Sequence, residues 1–222
     1  MKFDFESIQN DIDEIFEKST SKSLMEIYGV SRLEAAHSEF LTWLFNEFKL
    51  IAIRPLLNKL SSLGEVATQI SESVSDDCEV EAKRECAFKQ GSSNDRIDII
   101  TTIKTSDQKV LKIFIEVKVE SDEHWNNAGN NWQTVVYYDN YSEKYKDSEN
   151  IFLYLTIKGS LAECHHFQPI SYQNLYDWVL KPIIEEKNQN NKNKIMVIKD
   201  YCNALQAISK DKAKPLIMAN IW

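Results

Sequence analysis

Apolar residues recur at helical spacing twice in the first third of the chain. Phe5, Ile8, Ile12, Ile15 and Phe16 line one face over residues 3–18, and Leu33, Ala36, Phe40, Leu41, Leu44 and Phe48 repeat the signal over 32–50. Ser31, with Glu34 three positions later, reads as a capping box for the second helix. Pro55 predicts a break before a short further helix that ends near Leu63, and residues 64–76 read as a polar connection. Three strands are predicted next, over 78–88, 95–104 and 110–119. The turn-forming segments Gly91-Ser-Ser-Asn94 and Thr105-Ser-Asp-Gln108 predict antiparallel links between them. The Asn-rich stretch from Asn126 to Asn131 reads as a loop leading into a helix over 131–145, followed by a buried strand over 150–157. A short strand around 165–169 precedes helices near 172–187 and 195–209, with a polar segment over 185–193 between them. The expected order is helix, three antiparallel strands, helix, strand, with extra helices at both ends: an α/β architecture.

Candidate chemistry sits on the strands. In the third strand, alternation puts Glu116 and Lys118 on one face beside Phe114, and Ile113, Ile115 and Val117 on the other. Asp98 stands at the centre of the preceding strand, between Ile97 and Ile99. Charges at such positions are costly to desolvate unless they are paired or bind a metal. Two carboxylates from neighbouring strands suit a hard cation such as Mg²⁺ or Mn²⁺. Glu-x-Lys alone has a plainer explanation, because an ion pair on an edge strand gives the same letters and contributes little.

At 222 residues and 43% apolar composition the chain can bury a full core as one domain, 1–222. Five glycines and four prolines argue against disorder and against a turn-rich all-β fold. The net charge of −8 excludes a globally basic surface, yet a local basic groove or a bound metal can still receive phosphates. Cys78, Cys86, Cys164 and Cys202 lack the density and spacing of a secreted disulfide scaffold. With no apolar leader at the N-terminus and no apolar run of about 18 residues, a soluble cytoplasmic protein is expected.

Taken together, Ile97-Asp98 and Glu116-Val-Lys118 resemble the first acidic element and the E-x-K of the PD-(D/E)xK nuclease superfamily. The segment Glu34-Ala-Ala-His-Ser38, followed by Phe40-Leu-Thr-Trp-Leu44, is similar to the opening helix of one bacterial group of these proteins. Gln133-Thr-Val-Val-Tyr137 resembles the Q-x-x-x-Y element of the RecB-like branch, and Ile151-Phe-Leu-Tyr-Leu-Thr156 its next strand. The resemblance covers residues 30–175; Ile97 stands where the pattern has a proline. It implies a restriction-endonuclease-like core.

The resemblance also implies roles. Asp98 and Glu116 would hold Mg²⁺ (or Mn²⁺) with the Val117 carbonyl, and Lys118 would act as base or electrostatic stabiliser beside the attacking water. His37, and Glu34 three positions before it on the same helical face, would be additional ligands. Gln133 and Tyr137, one helical turn apart, would contact the scissile strand or brace Lys118. The implied activity is metal-dependent hydrolysis of nucleic acid, DNA in preference to RNA, with homodimers common among enzymes that cut both strands. The competing expectations are an inactive module of this fold that binds a protein or nucleic-acid partner, and a purely structural ion-pair network.

Further candidates have plain alternatives. Glu81 and Glu85 share a strand face, and either could support the site as another acid. Cys164-His-His166 suggests zinc, but no second Cys/His pair accompanies it and a closed site needs four ligands. Trp125 and Trp132 flank the Asn-rich stretch, where they could stack on bases or simply fill the core.

Overall fold

The computed structural model describes residues 22–61, 74–87, 96–126, 130–186 and 192–210. The expected helix over 3–18, the turn at Gly91–Asn94 and most of the polar connection over 64–76 lie outside these residues. Helix α1 is Leu24–Ile27, α2 is Glu34–Phe48 and α3 is Leu50–Ser61. Strands β1 (Glu79–Ala87), β2 (Arg96–Lys104) and β3 (Val110–Lys118) follow. A small ribbon of β4 (Trp125–Asn126) and β5 (Asn131–Trp132) leads into α4 (Gln133–Lys144), then β6 (Glu149–Thr156) and β7 (Phe167–Ser171). The described chain closes with α5 (Tyr172–Leu175), a π-helical turn (Tyr176–Leu180), α6 (Lys181–Glu185) and α7 (Lys192–Lys210).

One five-stranded sheet, in the order β1-β2-β3-β6-β7, organises the fold. As the sequence predicts, β1 to β3 form an antiparallel meander, with Ile99 opposite Ile115 and Lys83 opposite Ile100. After α4 crosses over, β6 runs parallel to β3, pairing Glu116 with Tyr154 and Lys118 with Thr156, and β7 runs parallel to β6. Every side chain of β3 from Ile113 to Lys118 is buried, because both faces of the sheet are covered. Ile113, Ile115 and Val117 join the larger core with α2, α3, the π-helical turn and α7. Phe114 joins a second cluster with Tyr137, Tyr141, Phe152 and Phe167 beneath α4. The predicted alternation of β3 is therefore real, with Glu116 and Lys118 on the α4 side.

Three local expectations are corrected. The N-cap of α2 is Leu33, with no side-chain cap, so Ser31 and Glu34 form no capping box. That motif occurs instead at Ser23 and Glu26, around α1. The break after α2 falls at Lys49, whose φ of 44° ends the helix and whose carbonyl accepts from Ala52 and Ile53. Pro55 lies inside α3 and ends nothing. The Asn-rich stretch is framed by paired residues, Trp125 with Trp132 and Asn126 with Asn131, so α4 starts at Gln133 rather than at Asn131. In the helical run over 172–185, Pro182 lies two residues after the π-helical turn; without an N–H it cannot continue the regular i→i−4 ladder.

Candidate active site at the end of β3

The alternation of β2 lapses at Asp98. Ile97 packs with Ile100 in the cluster beneath α4, whereas Ile99 packs in the opposite core. The β1 ladder likewise pairs Arg84 with Ile99 and Cys86 with Ile97, skipping the position between, where Glu85 takes a φ of 47°. With the β2–β3 ladder ending at Ile99 and Ile115, the Asp98 carboxylate takes over a backbone donor: Val117 N–H donates to Oδ2 at 2.7 Å. Glu116 is 2% exposed and Lys118 5% exposed. Lys118 Nζ lies 3.0 Å from Glu116 Oε1 and 3.9 Å from Glu34 Oε2. Glu116 Oε2 is buried with no hydrogen-bond partner among the described residues.

Protonation is shifted accordingly. Burial pushes the Asp98 carboxyl up to about 6, against the Val117 N–H and the Lys118 charge, which favour its anion. Burial and then the Asp98 charge push Glu116 well above the usual carboxylate range. For Lys118, burial is the largest single influence and opposes its charge, but Glu116, Glu34 and Asp98 outweigh it and hold the ammonium more firmly protonated than usual. This chain's lysine is therefore a fixed positive charge rather than a ready base. Burial thus disfavours both anions, and the Asp98 charge further disfavours that of Glu116; a divalent cation between them would favour both anionic forms.

Glu34, from the first turn of α2, accepts Val119 N–H at 3.2 Å and the Ser121 hydroxyl at 2.5 Å, so it ties the exit of β3 to the helix. Gln133 Nε2 donates to Tyr137 Oη at 2.8 Å, and Tyr137 donates to the Arg96 carbonyl at 2.7 Å, two residues before Asp98. These α4 residues brace the start of β2 rather than Lys118. Burial, and then the Glu116 charge, raise the Tyr137 phenol far above its usual value, which keeps it neutral. Tyr141 adds a second brace, accepting Ile97 N–H and donating to the Cys86 carbonyl.

His37 is the clearest correction. It is 0% exposed, with Nε2 2.9 Å from the Ser31 carbonyl and Nδ1 2.9 Å from Tyr201 Oη. A carbonyl can only accept, so Nε2 carries the proton and Nδ1 accepts from the tyrosine. Burial lowers its pKa and keeps it neutral. With both nitrogens engaged it has no lone pair for a metal, and it serves to lock α2 to α7. Val117 sits between Glu116 and Lys118, and its N–H donates to Asp98. Glu81 pairs with Lys83, and Glu85 with Arg84 and Arg96, so neither joins the site. Cys164 is buried, and His166 stacks on Tyr138 with ring centroids 3.9 Å apart.

One structurally important acid has no local signature. Glu123 Oε1 accepts Thr134 N–H at 2.7 Å and the Thr134 hydroxyl at 2.6 Å, and its Oε2 accepts Glu163 N–H at 2.9 Å. It thereby fixes the start of α4 against the loop after β6.

Residues 25–203 match the family model of the PD-(D/E)XK nuclease superfamily. The chain belongs to that superfamily. No curated protein and no solved structure gives a significant match. Its mixed α/β fold, with a five-stranded sheet and flanking helices, is that of a restriction-endonuclease-like PD-(D/E)XK protein. PD-(D/E)XK nucleases generally use divalent metal ions. Among the described residues, no group of three or more His, Cys, Asp and Glu side chains forms a ready cage. The donor set nevertheless fits a Mg²⁺-type ion, which commonly takes one or two carboxylates and completes its shell with water and substrate oxygens. The unpartnered Glu116 Oε2 beside Asp98 is the feature that such an ion would satisfy.

Proposed function

We propose that this PD-(D/E)XK protein hydrolyses phosphodiester bonds of nucleic acid, DNA in preference to RNA, with Mg²⁺ or Mn²⁺. The observation that carries the reading is the buried Glu116 carboxylate, one oxygen bound to Lys118 and the other unpartnered, next to an Asp98 whose charge opposes its ionisation. Asp98 and Glu116 would hold the ion, which when bound supplies charge neutralisation at the phosphate and acidifies water. Lys118, kept protonated by three carboxylates, stabilises negative charge that grows on the phosphate oxygens. Glu34 anchors the segment after β3, while Gln133 and Tyr137 hold the strand that carries Asp98. All four described cysteines are free, in keeping with a reducing cytoplasmic setting.

The competing reading is a structural ion-pair network, and the 3.0 Å contact between Lys118 and Glu116 favours it. A purely structural pair, however, would gain by satisfying both Glu116 oxygens. Titration calorimetry with Mn²⁺, run beside digestion of single- and double-stranded DNA and RNA, separates the two. Metal binding lost in Asp98→Ala, together with Mg²⁺-dependent cleavage, supports the nuclease. Absence of both metal binding and digestion overturns it.

A further inference from the structure

We propose that the cleft beyond Lys118 is a nucleobase subsite, which receives the base of a nucleotide adjoining the phosphate that is cut and stacks it against Trp132. The inference rests on the nuclease reading above. The cleft, of about 370 Å³, opens where β3 and β6 end and α4 begins, with Lys118 on one wall and Trp132, Tyr154 and Leu161 on others. Ligands of open α/β sheets characteristically bind outside the carboxyl ends of parallel strands. β3 and β6 are parallel here, with Lys118 opposite Thr156 at the cleft.

The charge of the lining decides which part of a nucleotide enters. Besides Lys118 and Lys158, the walls carry Glu120, Asp122, Glu123 and Glu163. Glu120 pairs with Arg32, and Glu123 is spent on Thr134 and Glu163 N–H. The negative balance still disfavours a phosphate deep in the cleft. It suits a neutral heterocycle, whose exocyclic amines and ring N–H groups are donors in search of acceptors. The phosphodiester is thereby left at the Lys118 end, beside Asp98 and Glu116.

Trp132 supplies the stacking face. It is held across the β4–β5 ribbon by Trp125, edge-on at 5.6 Å between ring centroids, and Trp125 itself is 48% exposed. Trp132 is half-buried and lines the cleft, where a planar partner can stack on it, and base stacking on aromatic side chains is sequence-tolerant. The subsite therefore admits any base, provided that the base is unstacked from its neighbours, which favours single-stranded or frayed substrate.

The test scans an abasic residue through a single-stranded oligonucleotide and measures kcat/KM in Mg²⁺ for the full chain and for Trp132→Ala, Trp132→Phe and Leu161→Trp. One abasic position next to the cut should cost the unaltered protein about tenfold. Trp132→Ala should lose about as much on intact substrate and nothing further on the abasic one, whereas Trp132→Phe keeps most of the rate. Leu161→Trp, made at an exposed position, should obstruct the cleft and slow cleavage of the intact substrate only. Independent, multiplying penalties for Trp132→Ala and the abasic residue overturn the subsite, as does unchanged cleavage by both Trp132→Ala and Leu161→Trp. Digestion by the unaltered chain that is indifferent to Trp132 sinks the subsite alone. A chain that neither digests nor binds Mn²⁺ sinks the nuclease reading and the subsite with it.

Discussion

Asp98 accepts the Val117 N–H at 2.7 Å, a side chain taking the donor at the point where the β2–β3 ladder stops after Ile99 and Ile115. The bond aims Asp98 at the end of β3 and keeps it alongside Glu116. Asp98→Asn should still fold, but its amide is a poor ligand for a hard cation. Mg²⁺-supported cleavage is expected to fall at least about a hundredfold, with Mn²⁺ binding lost in calorimetry.

The same carboxylate gives the metal-free protein an unusual dependence on pH. The Asp98 carboxyl sits at about 6 in the folded chain against 3.8 for a free aspartate, so the folded state binds more protons than the unfolded one between those limits. Stability from this group is present below about pH 4 and is lost as pH rises through 6; Glu116 acts in the same direction. Thermal melts without metal should show Tm falling over that interval, with a shallower fall in Asp98→Asn. Adding Mn²⁺ should restore Tm at pH 7 and have little effect at pH 4.

Lys118→Ala strands a 2%-exposed carboxylate. Urea unfolding at pH 7 should show a loss on the order of 3 kcal/mol along with the loss of activity. Glu116→Gln combined with Lys118→Met removes both charges, and is expected to recover most of the stability but none of the cleavage.

Tyr137→Phe deletes the hydroxyl that joins Gln133 to the Arg96 carbonyl. The expected cost is about 1 to 2 kcal/mol of stability. Because Arg96 lies two residues before Asp98, calorimetry should also show weaker Mn²⁺ binding, and the maximal rate should fall while the dependence on substrate concentration changes little.

His37→Ala opens a void between α2 and α7, and breaks the bonds to Ser31 and Tyr201. Stability should drop by roughly 2 to 4 kcal/mol, with the affinity for Mn²⁺ unchanged in the folded fraction. A selective loss of metal binding without loss of stability would return His37 to the ligand set.

The chain's own letters settled the strands, the meander and the face on which Glu116 and Lys118 lie, because period-two alternation and turn chemistry are local and written in consecutive residues. They also marked Asp98 as anomalous, an acid between isoleucines. What they could not decide were partners far apart in sequence. His37 meets Tyr201 across 164 positions, Glu34 meets Val119 across 85, and Glu123 meets Glu163 across 40. A histidine or glutamate with helical spacing looks the same whether its polar atoms will face a cation or a carbonyl. Only the packed arrangement of α2 against α7, and of the α4 entrance against the end of β6, assigns each donor to its acceptor. For the same reason the helix break moved from Pro55 to Lys49: backbone conformation there answers to the packing of α2 on the sheet and of α3 on the π-helical turn, not to one residue's propensity.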